Sequence, residues 1–183
     1  MDFEIGVARE THEVDAVQKL WQVYWTSLGL AADFQDFAAE LRSLPGAYGP
    51  PNGLLLLAWH GEPGERAAGT VALRRHSAQS CEAKRLFVAP EFRGRGLGRA
   101  LLMRLMDDAR ALGYRTMFGD SLPSMLGAQA LYRSCGFREV GPYSATPTPG
   151  AIYLELALRR QKRGHKTTKR FWISPSEAGR LGH

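Results

Sequence analysis

Residues Lys84 to Leu105 read KRLFVAPEFRGRGLGRALLMRL, and few folds accommodate such a run. Arg85-Leu86-Phe87-Val88 is rich in residues that favour strands. Pro90 ends that strand, because proline has no N–H to give to a ladder. Gly94, Gly96 and Gly98 follow at alternate positions. Leu97, Leu101, Leu105, Ala109 and Leu112 then recur at helical spacing, and Gly113 closes the helix. The run is a strand, a glycine-rich turn and a helix.

A helix begins with backbone N–H groups that lack partners inside it, and its aligned peptide dipoles place partial positive charge there. Glycines remove the side chains that would hold a ligand off. A pyrophosphate fits directly on the amides of residues 94–99, with Arg93, Arg95 and Arg99 adding charge. The plainer reading is a tight turn that uses glycine only for its backbone angles. The three arginines, with a strand before and a helix after, favour the anion site. The glycine spacing is not that of a dinucleotide fingerprint, and no Gly-Lys-Ser/Thr follows as in a phosphate-binding P-loop.

Two blocks carry a closer resemblance. Val88-Ala-Pro90-Glu-Phe-Arg93-Gly94-Arg-Gly96-Leu-Gly98-Arg-Ala-Leu101-Leu102 resembles the acyl-CoA signature of the GNAT superfamily of N-acetyltransferases. Ala128-Gln129-Ala130-Leu131-Tyr132-Arg-Ser-Cys-Gly136-Phe137 is similar to a second block of that family, in the same order and at its usual separation. The resemblance spans residues 3–158.

The element pattern agrees. Phe3–Ala8 alternates like a half-buried strand. After Thr11, the apolar stripe Val14, Val17, Leu20, Trp21, Tyr24, Trp25 and Leu28 reads as a helix that Gly29 ends. A second helix is predicted near Asp33–Leu44, with Phe34, Phe37, Ala38 and Leu41 on one face. Leu44–Gly53 is dense in proline and glycine and must be a loop. Leu54–Trp59 and Ala67–Arg75 form a hairpin. Strand Cys81–Val88, the helix from Leu97, strand Tyr114–Asp120, helix Met125–Cys135 and strands Glu139–Tyr143 and Ala151–Leu158 complete the order β-α-α-β-β-β-α-β-α-β-β. The resemblance implies an α/β (α+β) GNAT fold. That is a mixed, mostly antiparallel sheet of about seven strands with about four helices, splayed between the fourth and fifth strands.

The chain has 183 residues, 44 % hydrophobic and 23 % charged, enough for one domain with a sizeable core. No apolar run approaches the ~20 residues of a membrane span, and the N-terminus does not read as a signal peptide. Cys81 and Cys135 are isolated and read as free thiols in a reducing cytoplasm. The net charge of +6 is uneven. Residues 159–183 hold eight basic residues against Glu177 alone, which leaves residues 1–158 near neutral, at −1. The basic tail is expected to be mobile or, through Phe171-Trp172-Ile173, to make a subunit contact such as a homodimer. Nucleic-acid binding would have to rest on that tail.

The resemblance implies acetyl-CoA as co-substrate, held by the backbone of Leu86, Phe87 and Val88, by the turn Arg93–Arg99, and by Ala128 and Tyr132. It implies Tyr132 as the acid that protonates the departing thiolate. Glu82 lies eleven residues before Arg93, the offset at which the histone-modifying branch carries its general base. If Glu82 is that base, burial should raise its pKa towards neutrality. The alternative is a strand carboxylate paired with Lys84 or Arg85. Asp120 is expected at the open end of the cleft, where it could orient the amine or cap the next turn. Tyr48, Tyr143 and Arg42 are candidates for the acceptor pocket, while Trp21, Tyr24, Trp25 and Phe37 read as core. The five histidines show no metal-ligand spacing, so no metal is expected.

The reading is an N-acetyltransferase that moves an acetyl group to a primary amine of a small molecule or amino acid in a ternary complex. Alternatives are a protein acceptor, an acyl-CoA sensor without chemistry, or a nucleic-acid binder led by the tail.

Overall fold

A computed structural model describes residues 3–29, 36–145 and 147–158. Phe34 and the tail from residue 159 lie outside the described residues. Seven strands form one open sheet in the order β1-β2-β3-β4-β5-β7-β6. They are β1 (Phe3–Val7), β2 (Leu54–His60), β3 (Arg66–Arg75), β4 (Ser80–Val88), β5 (Thr116–Ser121), β6 (Arg138–Val140) and β7 (Ile152–Ala157). Only β4 and β5 pair in parallel; the other neighbours run antiparallel. The helices are α1 (Thr11–Ser27), α2 (Phe37–Arg42), α3 (Leu97–Ala111) and α4 (Leu126–Ser134). The fold is the mixed, splayed sheet that the resemblance implies.

Leu55–Trp59 of β2 and Ala68–Leu73 of β3 are buried at successive positions, so both faces of the central sheet are covered. Helices α1 and α3 both pack on β3 and β4. The apolar stripes predicted for them supply Val17, Leu20, Trp21 and Trp25 from α1 and Leu97, Leu101, Leu105 and Ala109 from α3 to the core.

The glycines expected to close helices do so. Gly29, Gly113 and Gly136 follow α1, α3 and α4 with φ of 64°, 91° and 93°, a region open to glycine at little cost. After α4, Gly136 N–H donates to the Arg133 carbonyl and Phe137 N–H to the Tyr132 carbonyl, a Schellman ending. The accompanying apolar contact is between the Tyr132 and Phe137 rings, 4.9 Å apart. Part of the second sequence block is therefore a helix stop that fixes Tyr132.

Element ends shift in places. Strand β6 stops at Val140 rather than Tyr143, because Gly141 and Pro142 follow and proline cannot extend a ladder. Strand β5 begins at Thr116, since Tyr114 belongs to the turn after α3 and gives its hydroxyl to the Asn52 carbonyl. Helix α2 covers only Phe37–Arg42. Among the described residues no helix is long and apolar enough to cross a membrane.

Candidate active site

Strands β4 and β5 pair only from Ser80–Thr116 to Ala83–Gly119. Beyond that point they part, and β4 runs on along β3 alone. A bulge sits there, where the β3–β4 register shifts between Thr70 and Ala72 and Arg85 adopts a φ of 57°. The bulge breaks the strict alternation of β4. Lys84 stays beside Glu82, while Arg85 lies over the Trp25 ring and donates through Nε to Glu40 Oε2 at 3.0 Å.

Past the bulge, Ala89 N–H donates to the Ala68 carbonyl. The adjacent pair, Gly69 and Val88, is therefore of the non-bonded kind, and Val88 directs its N–H and C=O away from β3. Arg93 Nε donates to that carbonyl at 3.0 Å, which leaves the Val88 N–H facing the gap.

On one side of the gap lies a groove of about 710 Å³. Its walls are Leu86–Val88, the turn with Arg93, Gly94, Gly96 and Gly98, and Ala128 with Leu131 of α4. Leu97 and Arg99 also line it, as do Tyr24 and Ser27 of α1. Gly96 caps α3 with a φ of 78° and no side chain on the first amides. The first intrahelical bond is Ala100 N–H to Gly96 O, so the N–H groups of Leu97, Gly98 and Arg99 lie ahead of the helical ladder. Arg99 reaches Ser134 on α4 at 3.0 Å. Arg95 is not among the lining side chains and lies over the Phe92 ring. The groove suits a long anionic ligand: donors and arginines at the turn, apolar walls along β4 and α4.

On the other side lies a pocket of about 360 Å³. Glu40, Arg74, Glu82, Lys84, Asp120 and Tyr143 give it its chemistry. Groove and pocket have no lining residue in common. They meet through a throat of about 50 Å³ that includes Tyr24, Lys84, Leu86, Asp120, Ala128 and Tyr132.

Glu82 is 5 % exposed. It accepts from Arg74 Nε at 2.6 Å and from the Tyr143 hydroxyl at 3.0 Å, and Lys84 Nζ lies 3.5 Å away. The expected rise in its pKa does not occur. Burial pushes it up, but Lys84, the Arg74 bond and the Tyr143 bond outweigh burial and hold the carboxyl below its ordinary value. Pairing with Lys84, foreseen as the alternative for Glu82, is present, while Arg85 pairs with Glu40 instead. Lys84 itself is 8 % exposed and donates to Asp120 at 2.7 Å.

Tyr132 is 4 % exposed and leans on Gly119, where a Cβ would stand 3.3 Å from its ring. Burial, then the charge of Asp120, pushes its phenol well above the ordinary range. Tyr48 is buried under the pocket with its hydroxyl given to Glu40, and burial raises its pKa too. Tyr143 stacks on Phe118 at 4.5 Å. Arg42 is exposed and is not among the pocket-lining residues, since α2 turns it outward. Among the described residues no cluster of His, Cys, Asp or Glu could hold a metal ion.

Sequence reasoning missed Arg74, and it gave Lys84 no role beyond pairing with Glu82. It also placed Tyr24 in the core, whereas Tyr24 lines both throat and groove. The signal for Arg74 was available in the hairpin: its position pairs with Glu82 across β3 and β4.

The sequence profile described as the acetyltransferase (GNAT) family matches residues 14–137. An uncharacterized N-acetyltransferase of Schizosaccharomyces pombe is 34 % identical over 160 residues, covering 87 % of this chain and 97 % of the relative. Among solved structures, an acetyltransferase of Streptococcus agalactiae superposes with a TM-score of 0.71 at 20 % identity, over 85 % of this chain and 98 % of that one. An acetyltransferase of Salmonella typhimurium, solved with acetyl-CoA, gives a TM-score of 0.60 at 19 % identity, over 91 % of this chain and all of the other. The profile spans more than half the chain and the yeast relative nearly all of its own length, so this protein belongs to the GNAT family of N-acetyltransferases.

Proposed function

We propose that the protein transfers an acetyl group from acetyl-CoA to a primary amine of a small molecule or amino acid, by direct attack in a ternary complex. One observation carries this reading: among the described residues, a groove suited to a long anionic ligand and a charged pocket of small-molecule size both border the throat where β4 and β5 part.

In this reading the pyrophosphate lies on the amides at the start of α3, with Arg93 and Arg99 beside it. The pantetheine follows Leu86–Val88, and the Val88 N–H donates to the carbonyl oxygen as it becomes an oxyanion. Asp120 and Glu82 draw the acceptor's ammonium towards the throat. Once the ammonium has lost a proton to pocket water, the amine nitrogen attacks the thioester carbon, the C–S bond breaks, and the second proton that the nitrogen sheds passes through water to the departing sulfur, which the Tyr132 hydroxyl meets as a hydrogen-bond donor. Glu82, with its pKa held down, keeps its charge at neutral pH. Its contribution is to hold the ammonium and steer its proton away rather than to be a strong base.

The test is thiol release with acetyl-CoA against amines, amino acids, polyamines and aminoglycosides, beside a thermal-shift titration with acetyl-CoA alone. A thermal shift with turnover of some acceptor is the expected result. A shift with no turnover of any acceptor would replace this reading with an acyl-CoA sensor.

A further inference from the structure

Three cations and three carboxylates build the inner wall of the acceptor pocket, and their pairing restricts what can enter. Arg85 and Glu40 form a closed pair: Arg85 reaches Glu40 through both Nε and Nη2, and the Tyr48 hydroxyl binds the same carboxylate. Lys84 sits between Asp120 at 2.7 Å and Glu82 at 3.5 Å. Glu82 is further matched by Arg74. Every carboxylate on that inner wall therefore has a cation already. Asp36, also lining the pocket, is exposed.

Arg74 differs from the other two cations. Its side chain is 41 % exposed, against 9 % for Lys84 and 7 % for Arg85. Its hydrogen bond among the described residues uses Nε alone, and the side chain lines the pocket with much of its surface open. A planar fork of this kind matches a carboxylate with two parallel bonds. At the throat end, Asp120 lines both throat and pocket, and among the described lining residues it is the carboxylate that does so.

Resting on the proposed acetyl transfer, we propose that the acceptor is an aminocarboxylate, its ammonium received at Asp120 and Glu82 and its carboxylate at the open face of Arg74. Such a molecule brings one charge of each sign and leaves the wall's balance intact. A simple amine of the same length brings a positive charge alone, beside Lys84 and Arg74. A polyamine or aminoglycoside brings several, and the inner wall has no unmatched carboxylate to meet them. Desolvating unpaired charges is costly, so the pocket discriminates against both.

The test compares matched acceptors in the thiol-release assay. The panel is α-, β-, γ- and ω-amino acids, each beside its amide, its methyl ester and the amine lacking the carboxylate. The full-length wild type, Arg74→Gln and Arg74→Lys are run together, and each variant's thermal shift with acetyl-CoA reports that it is folded. The expected result is that at least one free acid exceeds its amide and ester in kcat/KM by about tenfold or more. That ratio falls to near unity in Arg74→Gln and only partly recovers in Arg74→Lys. A general disturbance of Glu82 would lower acid and ester alike and leave the ratio standing. Esters, amides or plain amines turned over as well as the acids would overturn the carboxylate site while keeping acetyl transfer. So would a ratio unchanged in Arg74→Gln. No turnover across the whole panel would overturn the aminocarboxylate, while turnover of a polyamine or aminoglycoside in the wider assay would still keep acetyl transfer.

Discussion

Burial and the nearby Asp120 charge keep the Tyr132 phenol protonated far above neutral pH, and the side chain is fixed by Gly119 beneath it and Phe137 beside it. A donor that never ionises in the working range is suited to meet a thiolate only as it forms. Tyr132→Phe should lower kcat by about a hundredfold while leaving acetyl-CoA affinity and Tm close to wild type. A matching loss of Tm would mean that the hydroxyl is structural. Glu82 sits on the other side of its ordinary value, since the opposing effects of Lys84, Arg74 and Tyr143 outweigh its burial. Its folded pKa is lower than its unfolded one, so the stability it contributes is complete above the usual carboxylate range and is lost as pH falls through the folded value. The stability difference between wild type and Glu82→Gln, from urea denaturation, should thus be full at neutral pH and shrink in acid. The pH profile of kcat/KM should show no inflection near neutrality that Glu82→Gln removes. If one is found, Glu82 titrates there as a base after all.

The glycine-rich turn was legible residue by residue, because its information is local: φ of 73° at Gly94 and 78° at Gly96, a helix stripe, and a proline stop. Nothing stands within 4 Å of a Cβ built on Gly96, so Gly96→Ala meets only backbone strain. That should cost about 1–2 kcal/mol, read by urea denaturation, together with weaker acetyl-CoA binding. Helix α3 is anchored differently. Leu101 is wholly buried and lies close enough to Gly69 that a Cβ there would stand 3.0 Å from it. Leu101→Ala should cost about 2–5 kcal/mol and loosen the helix whose first amides face the groove. The charged pocket was not legible in the same way. Glu82 could be singled out by its offset, and Lys84 stands beside it by strand alternation, but the rest of its environment comes from β3 through Arg74 and from the segment between β6 and β7 through Tyr143. The Tyr143 contact spans 61 positions, and only the fold brings it in. Arg42 illustrates the converse: its charge made it a candidate for the acceptor pocket against a default of a solvated helix face, and α2 turns it to solvent.

At the scale of the molecule, the sequence pattern displays the succession of elements almost completely, and the mixed, splayed sheet is the one that the resemblance implies. What the pattern does not display is that the splay connects two separate spaces. Among the described residues, groove and pocket share no lining residue, and a throat of about 50 Å³ lies between them, room for little more than the atoms being exchanged. A donor seated in one space does not stand in the way of an acceptor arriving in the other. Shape therefore imposes no queue. Initial-rate lines measured at several fixed concentrations of the second substrate should intersect, and free CoA should compete with acetyl-CoA without competing with the acceptor. Parallel lines would mean that the acetyl group pauses on the protein. With two entrances, the amide product can leave while CoA is still bound, and the faster of the two departures need not wait for the slower.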